Sequence, residues 1–185
     1  MKYNFLGNTN IKVSLICLGT MTWGEQNTQD EGFQQMDFAF EEGVNFFDTA
    51  ELYSVPPRKQ TWGSTEKIIG NWLQTKKNRE KVIIATKVVG RSGMKWFRNK
   101  ETRLNKEQIN EAINGSLKRL KTDYIDLYQL HWPNRGSYHF RKNWDYNPSD
   151  GNKDEVENDI LEIVETLHDF KSEGKIRAFG LSNET

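Results

Sequence analysis

The chain of 185 residues carries 26 basic and 26 acidic side chains, so its formal charge is zero and bulk charge draws it to neither nucleic acid nor anionic lipid. Apolar residues make up 35%, and with 14 glycines the share comes close to the globular norm, enough for one domain with a core. No apolar run approaches the ~18 residues of a membrane helix and no secretory h-region follows Met1; the single cysteine, Cys17, predicts a buried core thiol in a reducing cytoplasm.

Apolar periodicity alternates between strand and helix. Val13 to Thr20 (VSLICLGT) reads as a buried strand ending at Gly19. A helix over 30–42 puts Phe33, Met36 and Phe40 on one face and stops at Gly43. Val44 to Ala50 (VNFFDTA) is the second strand. Past a polar loop, Ile68, Ile69, Trp72 and Leu73 form the stripe of a helix that Ser64 or Thr65 caps, and Val82 to Val88 is the third strand. Ile109, Ala112, Ile113, Leu117 and Leu120 recur at helical spacing behind Asn105 as cap. Ile125 to Trp132 is the fourth strand. A helix starting at Asn158 carries Ile160, Leu161, Val164, Leu167 and Phe170 and stops at Gly174, and Ile176 to Asn183 is the fifth strand.

Nearly apolar strands alternating with amphipathic helices argue a parallel sheet covered by helices, either an open doubly wound sheet or a (β/α) barrel. No Gly-x-Gly-x-x-Gly follows the first strand, which weakens the dinucleotide-binding open sheet. The polar residues favour the barrel. Asp48, Lys87, His131 and the pair Ser182–Asn183 fall at the C-terminal ends of four successive strands, which in a barrel open on one face. Any one of them reads equally well as the first solvated residue after a strand; four in a row do not.

Tyr53 lies five residues beyond Asp48, in the loop above that face. A phenol with pKa near ~10 donates a proton poorly at neutral pH unless a cation stabilises its phenolate, and Lys87, held by Asp48, is the candidate cation. His131 is placed to hydrogen-bond a substrate oxygen. The set reads as a proton-delivery site for a carbonyl under reduction.

At these residues the sequence resembles a known family. LGTMTWGEQN, NFFDTAELY, STEKIIGNWL, VIIATKV, SLKRLKTDYIDLYQLHWP and GKIRAFGLSNET look like the aldo-keto reductases, and YSVPPR like their Tas-like bacterial subgroup; the likeness runs from Leu6 to Thr185, weakest at about 90–104 and 134–157. It implies a (β/α)₈ TIM barrel preceded by a hairpin, here MKYNFLGNTNIKVS, as one oxidoreductase domain over 1–185 that is incomplete at its C-terminus. It implies NADPH as cofactor and a small-molecule carbonyl as substrate, with a catalytic tetrad of Asp48, Tyr53, Lys87 and His131 in which Tyr53 is the general acid. Cofactor contacts fall on Thr20, Met21, Asp48, Ser182 and Asn183, and substrate-lining positions on Trp23 and Trp132. No metal is implied.

A complete barrel takes about 250 residues, whereas these 185 stop just after the fifth strand. By the resemblance, the absent half carries a glutamine at the carboxamide, the aromatic that stacks on the nicotinamide, and the basic loop that grips the phosphates. Five strands cannot close an eight-strand barrel, so the open edges predict poor stability or self-association. A truncated product, a deliberate cut and a half-barrel completed by a second chain compete, and the abrupt break in the pattern favours the first. The rival functional reading is a non-catalytic fragment, or a regulatory module resembling the potassium-channel β-subunits of the family.

Residues 76–121 hold 14 basic and four acidic side chains, while 122–173 hold five and 12. Solvated helix faces account for this best; the sharper reading is an anion-attracting patch of Arg91, Lys95, Arg98, Lys100 and Arg103. The long polar segment from Pro133 to Asn158 reads as a substrate loop or a disordered connection, with His139 in it facing substrate, and His168 as an ordinary helix C-terminal histidine. No Cys/His cluster, nucleophile elbow or phosphate loop is present.

Overall fold

The computed structural model describes residues 1–138, 144–147, 149 and 151–183. Strands β1 (Tyr3–Phe5) and β2 (Lys12–Ser14) form the expected antiparallel hairpin, with Tyr3 opposite Ser14. Five further strands, β3 (Cys17–Gly19), β4 (Phe46–Asp48), β5 (Ile83–Val88), β6 (Ile125–Leu130) and β7 (Ile176–Leu181), make one parallel sheet in sequential order. The crossovers are helices α1 (Gln29–Glu41), α2 (Ser64–Lys76), α3 (Lys106–Leu120) and α4 (Lys153–Ser172). This is the strand-by-strand course of a (β/α) barrel through its fifth strand. Among the described residues no helix is long and apolar enough to cross a membrane.

The central strand β5 is buried along its whole length, as a parallel strand covered on both faces must be. Outside the sheet, Met36, Ile69, Trp72, Ile109, Ile113 and Leu167 from the four helices pack with Phe47, Ile84 and Tyr128 from the strands. A separate cluster of Ile11, Val13, Ile83 and Ala178, with Leu6, Phe46 and Leu127 against it, joins the hairpin to the sheet.

The apolar run Val13–Thr20 divides in two. Val13 and Ser14 pair in the hairpin, and only Cys17–Gly19 pair with β4. Ser14 ends the first piece: its Oγ donates to the Ile16 carbonyl at 2.6 Å and its N–H donates to Asn45 Oδ1 at 2.7 Å. Among the described residues β3 pairs with β4 alone, and Cys17 is exposed and not a core thiol.

The helix starts also correct the sequence reading. Helix α1 carries a capping box in which Thr28 and Glu31 satisfy each other's backbone N–H groups. Neither Ser64 nor Thr65 caps α2. Its N-cap is Gly63, at φ 74°, and the Thr65 hydroxyl donates to the Trp23 carbonyl at 2.8 Å. Asn105 does cap α3, accepting from the Gln108 N–H. Helix α4 begins five residues ahead of Asn158, where Asn152 Oδ1 accepts from the N–H groups of Asp154 and Glu155. That first turn is polar, so apolar periodicity cannot see it.

Candidate active site

Because all five strands run parallel, their C-terminal ends share one face, and Asp48, Lys87, His131, Ser182 and Asn183 all lie there. Lys87 is 5% exposed; its Nζ donates to Asp48 Oδ1 at 2.5 Å and to the Thr49 carbonyl at 2.8 Å. A buried ammonium needs both, since an unpaired charge out of water is strongly disfavoured. Gln129 Nε2 donates to Asp48 Oδ2 at 3.3 Å, and Thr20 Oγ1 donates to the Asp48 carbonyl at 2.8 Å. The acid is thus held by three neighbouring strands or their ends.

Tyr53 arrives on a turn in which its N–H donates to the Ala50 carbonyl at 3.1 Å. The Lys87 ammonium lies 5.0 Å from its ring centroid, and the His131 ring meets it edge-on at 5.6 Å. Burial first, and then the Asp48 carboxylate, push the phenol up to about 12, so it stays protonated at neutral pH. That direction is the opposite of the acidification expected from Lys87: burial of the half-covered ring, and then the Asp48 carboxylate, prevail. His131 goes the other way. Burial and the neighbouring Lys87 charge bring it down to about 3, which keeps the imidazole neutral, and its Nδ1 is buried without a partner.

Asn183, in the left-handed region at φ 55°, donates from Nδ2 to the His131 carbonyl at 2.8 Å and to Ser182 Oγ at 3.1 Å. The other expected site residues divide. Met21 is exposed at the mouth, its carbonyl accepting the Val55 N–H at 2.7 Å, while Thr20 is buried. Trp132 lies directly behind the histidine, ring centroids 4.9 Å apart, with its Nε1 donating to the Arg91 carbonyl at 3.0 Å. Trp23 is not brought to the site: it is fully buried in the helix–sheet core, its indole N–H on Gln35 Oε1 at 3.0 Å, with no surface open to a substrate.

The supposed anion patch is largely neutralised where it stands. Arg98 is ion-paired with buried Glu51, Arg103 with Asp159, and Lys100 with Glu107 and Glu111. His139 lies outside the described residues, and His168 packs edge-on against Phe179 with ring centroids 5.1 Å apart.

Two neighbours of the site escaped the sequence reading, and a third was read for another role. Gln129 was findable, since it lies two residues before His131 on one strand and period-2 alternation puts both on the same face. Glu51 stands only three residues from Asp48 but reads as a solvated acid. Arg98 is marked in the sequence as part of an anion-attracting patch, whereas its partner is the buried Glu51.

Residues 15–185 match the Aldo/keto reductase family, and the chain belongs to that family. It is similar to Protein tas of Escherichia coli, 43% identical over 191 residues that take in 100% of this chain and 53% of that protein. The oxidoreductase YrpG of Bacillus subtilis is 37% identical over 99% of this chain and 49% of its own length. Among solved structures, the holo form of aldo-keto reductase AKR11C1 from Bacillus halodurans superposes with a TM-score of 0.70 at 34% identity, over 99% of this chain and 50% of that one. The chain spans about half the length of each of these relatives.

Proposed function

We propose that these residues form the proton-donating half of an NADPH-dependent carbonyl reductase that converts an aldehyde or ketone to an alcohol. The observation that carries the reading is the convergence of Tyr53, Lys87, Asp48 and His131 at one end of the sheet, with a protonated phenol and a neutral imidazole side by side. Protonated Tyr53 has the form a general acid needs, and neutral His131, its ring edge-on to the phenol, is suited to hydrogen-bond a carbonyl oxygen and orient it toward the phenol. As negative charge develops on that oxygen, the Lys87 ammonium beside the ring stabilises the phenolate that proton transfer leaves. Asp48 keeps Lys87 charged and fixed.

The residues present fit the nicotinamide end of the cofactor. Ser182 and Asn183 are part-exposed hydroxyl and amide groups flanking the histidine, Met21 is exposed at the end of the first strand of the sheet, and His131 Nδ1 is a buried polar atom without a hydrogen-bond partner. Bound there, NADPH supplies the hydride.

A barrel completed by fusing the second half of the Escherichia coli relative after Thr185 tests the reading. NADPH consumption, followed at the nicotinamide absorbance, is expected only when an aldehyde is supplied. A folded fused barrel with no aldehyde-dependent consumption would overturn it.

A further inference from the structure

Glu51 is 2% exposed, yet it is a carboxylate with no role in the site just described. Its surroundings give it one. Its backbone N–H donates to the Lys87 carbonyl at 3.1 Å, and its side-chain Oε1 accepts the Val89 N–H at 2.7 Å. The residue therefore joins the turn that carries Tyr53 to the strand that carries Lys87 at two points, one on either side of Val88.

Both Glu51 oxygens also accept from Arg98 Nη2, at 2.5 and 2.7 Å, and the arginine side chain is itself 4% exposed. Arg98 lies on the loop between β5 and α3. The base of that loop is closed without it, by the reciprocal backbone bonds of Ser92 and Thr102 at 3.2 and 3.0 Å and by the Thr102 hydroxyl on the Gly90 carbonyl at 2.6 Å. What Arg98 adds is the fastening of the far part of the loop, where Trp96 and Phe97 stack at 4.6 Å and Phe97 meets Trp62 at 5.0 Å. Tyr53 and Met94 pack on the same aromatic cluster, together with Leu52, Val89 and Trp132.

We propose that Glu51 and Arg98 are positioning residues for Tyr53: the carboxylate staples the tyrosine's turn to the lysine's strand, and through the arginine it holds the aromatic loop down against the phenol. Its bearing on turnover rests on Tyr53 being the proton donor, but the staple itself does not. A buried carboxylate is tolerated here because the guanidinium faces it, and each group left alone is a buried charge without a partner. The half-burial that keeps the phenol protonated is, on this account, produced by the fastened loop.

The test uses the 185-residue chain without cofactor or carbonyl, so it succeeds or fails independently of the catalytic reading. The Tyr53 phenol is isolated by subtracting the phenolate absorbance titration of a Tyr53→Phe partner from that of each protein, and the loop is probed by the rate of tryptic cleavage at Lys95 and Lys100. In Arg98→Met and Glu51→Gln, cleavage should accelerate about tenfold or more, and the phenol should fall from about 12 toward the ordinary ~10. Asp126→Asn is the control. It breaks a buried ion cluster with Arg79 and Arg177, away from Tyr53, and should move neither reading. If circular dichroism shows Arg98→Met unfolded, Arg98→Lys keeps the charge but loses the planar fork and should shift both readings the same way by less. An unmoved Tyr53 titration in the folded variants, or an unmoved cleavage rate, overturns the proposal.

Discussion

His131 and Tyr53 are neighbours whose environments push them in opposite directions, and each leaves a mark on stability. The imidazole is lowered to about 3 by burial and by Lys87, so below about pH 6.5 the unfolded chain takes up a proton that the folded chain refuses. Stability then falls as pH drops from about 6.5 toward 3, by about 2 kcal/mol between pH 7.5 and 5. Urea unfolding of the native chain should show that loss, and His131→Gln should remove it. For Tyr53 the raised phenol has the opposite sign: its contribution is intact below about pH 10 and disappears as pH rises through about 12. At this scale the sequence was most legible where polar residues closed apolar strands, which is why Asp48, Lys87 and His131 could be marked. It was silent on the shift at Tyr53, because the cluster on which the ring packs draws Val89, Phe97 and Trp132 from stretches distant in sequence.

Helices and strands were legible in proportion to how much apolar surface each buries. The stripes of α2 and α3 follow the buried residues closely, and that of α1 less so, with Gly32 and Ala39 buried beside Met36 while Phe33 and Phe40 are partly covered; the polar first turn of α4 and the split between β2 and β3 depend on hydrogen bonds from Asn152 and Ser14. Asn152→Ala should therefore cost about 1 kcal/mol and speed amide exchange at Asp154 and Glu155, with little change at the far end of α4. Helices α2 and α3 meet at a glycine for a steric reason: a Cβ on Gly70 would lie 2.2 Å from the Arg119 carbonyl oxygen. Gly70→Ala must push α3 away and should lose about 1–3 kcal/mol or more in a urea titration. An alanine variant as stable as the native chain would mean that the helices slide apart freely.

Across the whole molecule, the sheet has β3 at one edge and β7 at the other, each with a single neighbour among the described residues. Apolar side chains gather near both edges: Leu15 and Ile16 are 57% and 58% exposed beside β3, and Ile160, Leu161 and Leu181 are 52%, 61% and 63% exposed on α4 and β7. Unpaired backbone and exposed apolar surface together favour association. The 185 residues by themselves should elute from size exclusion larger than a monomer, increasingly so with concentration. They should show no NADPH binding in a fluorescence titration at micromolar cofactor, since Ser182 and Asn183 offer only neutral contacts and charge-assisted bonds to phosphate are about twice as strong. A monodisperse monomer that binds NADPH tightly would contradict both. The proton-donor assignment is tested most directly in the fused barrel, by comparing turnover of native and Tyr53→Phe forms under saturating NADPH. Removing the phenol should lower aldehyde reduction by about 10²–10⁴-fold while leaving the cofactor affinity unchanged; a Tyr53→Phe barrel that turns over at the native rate would contradict it.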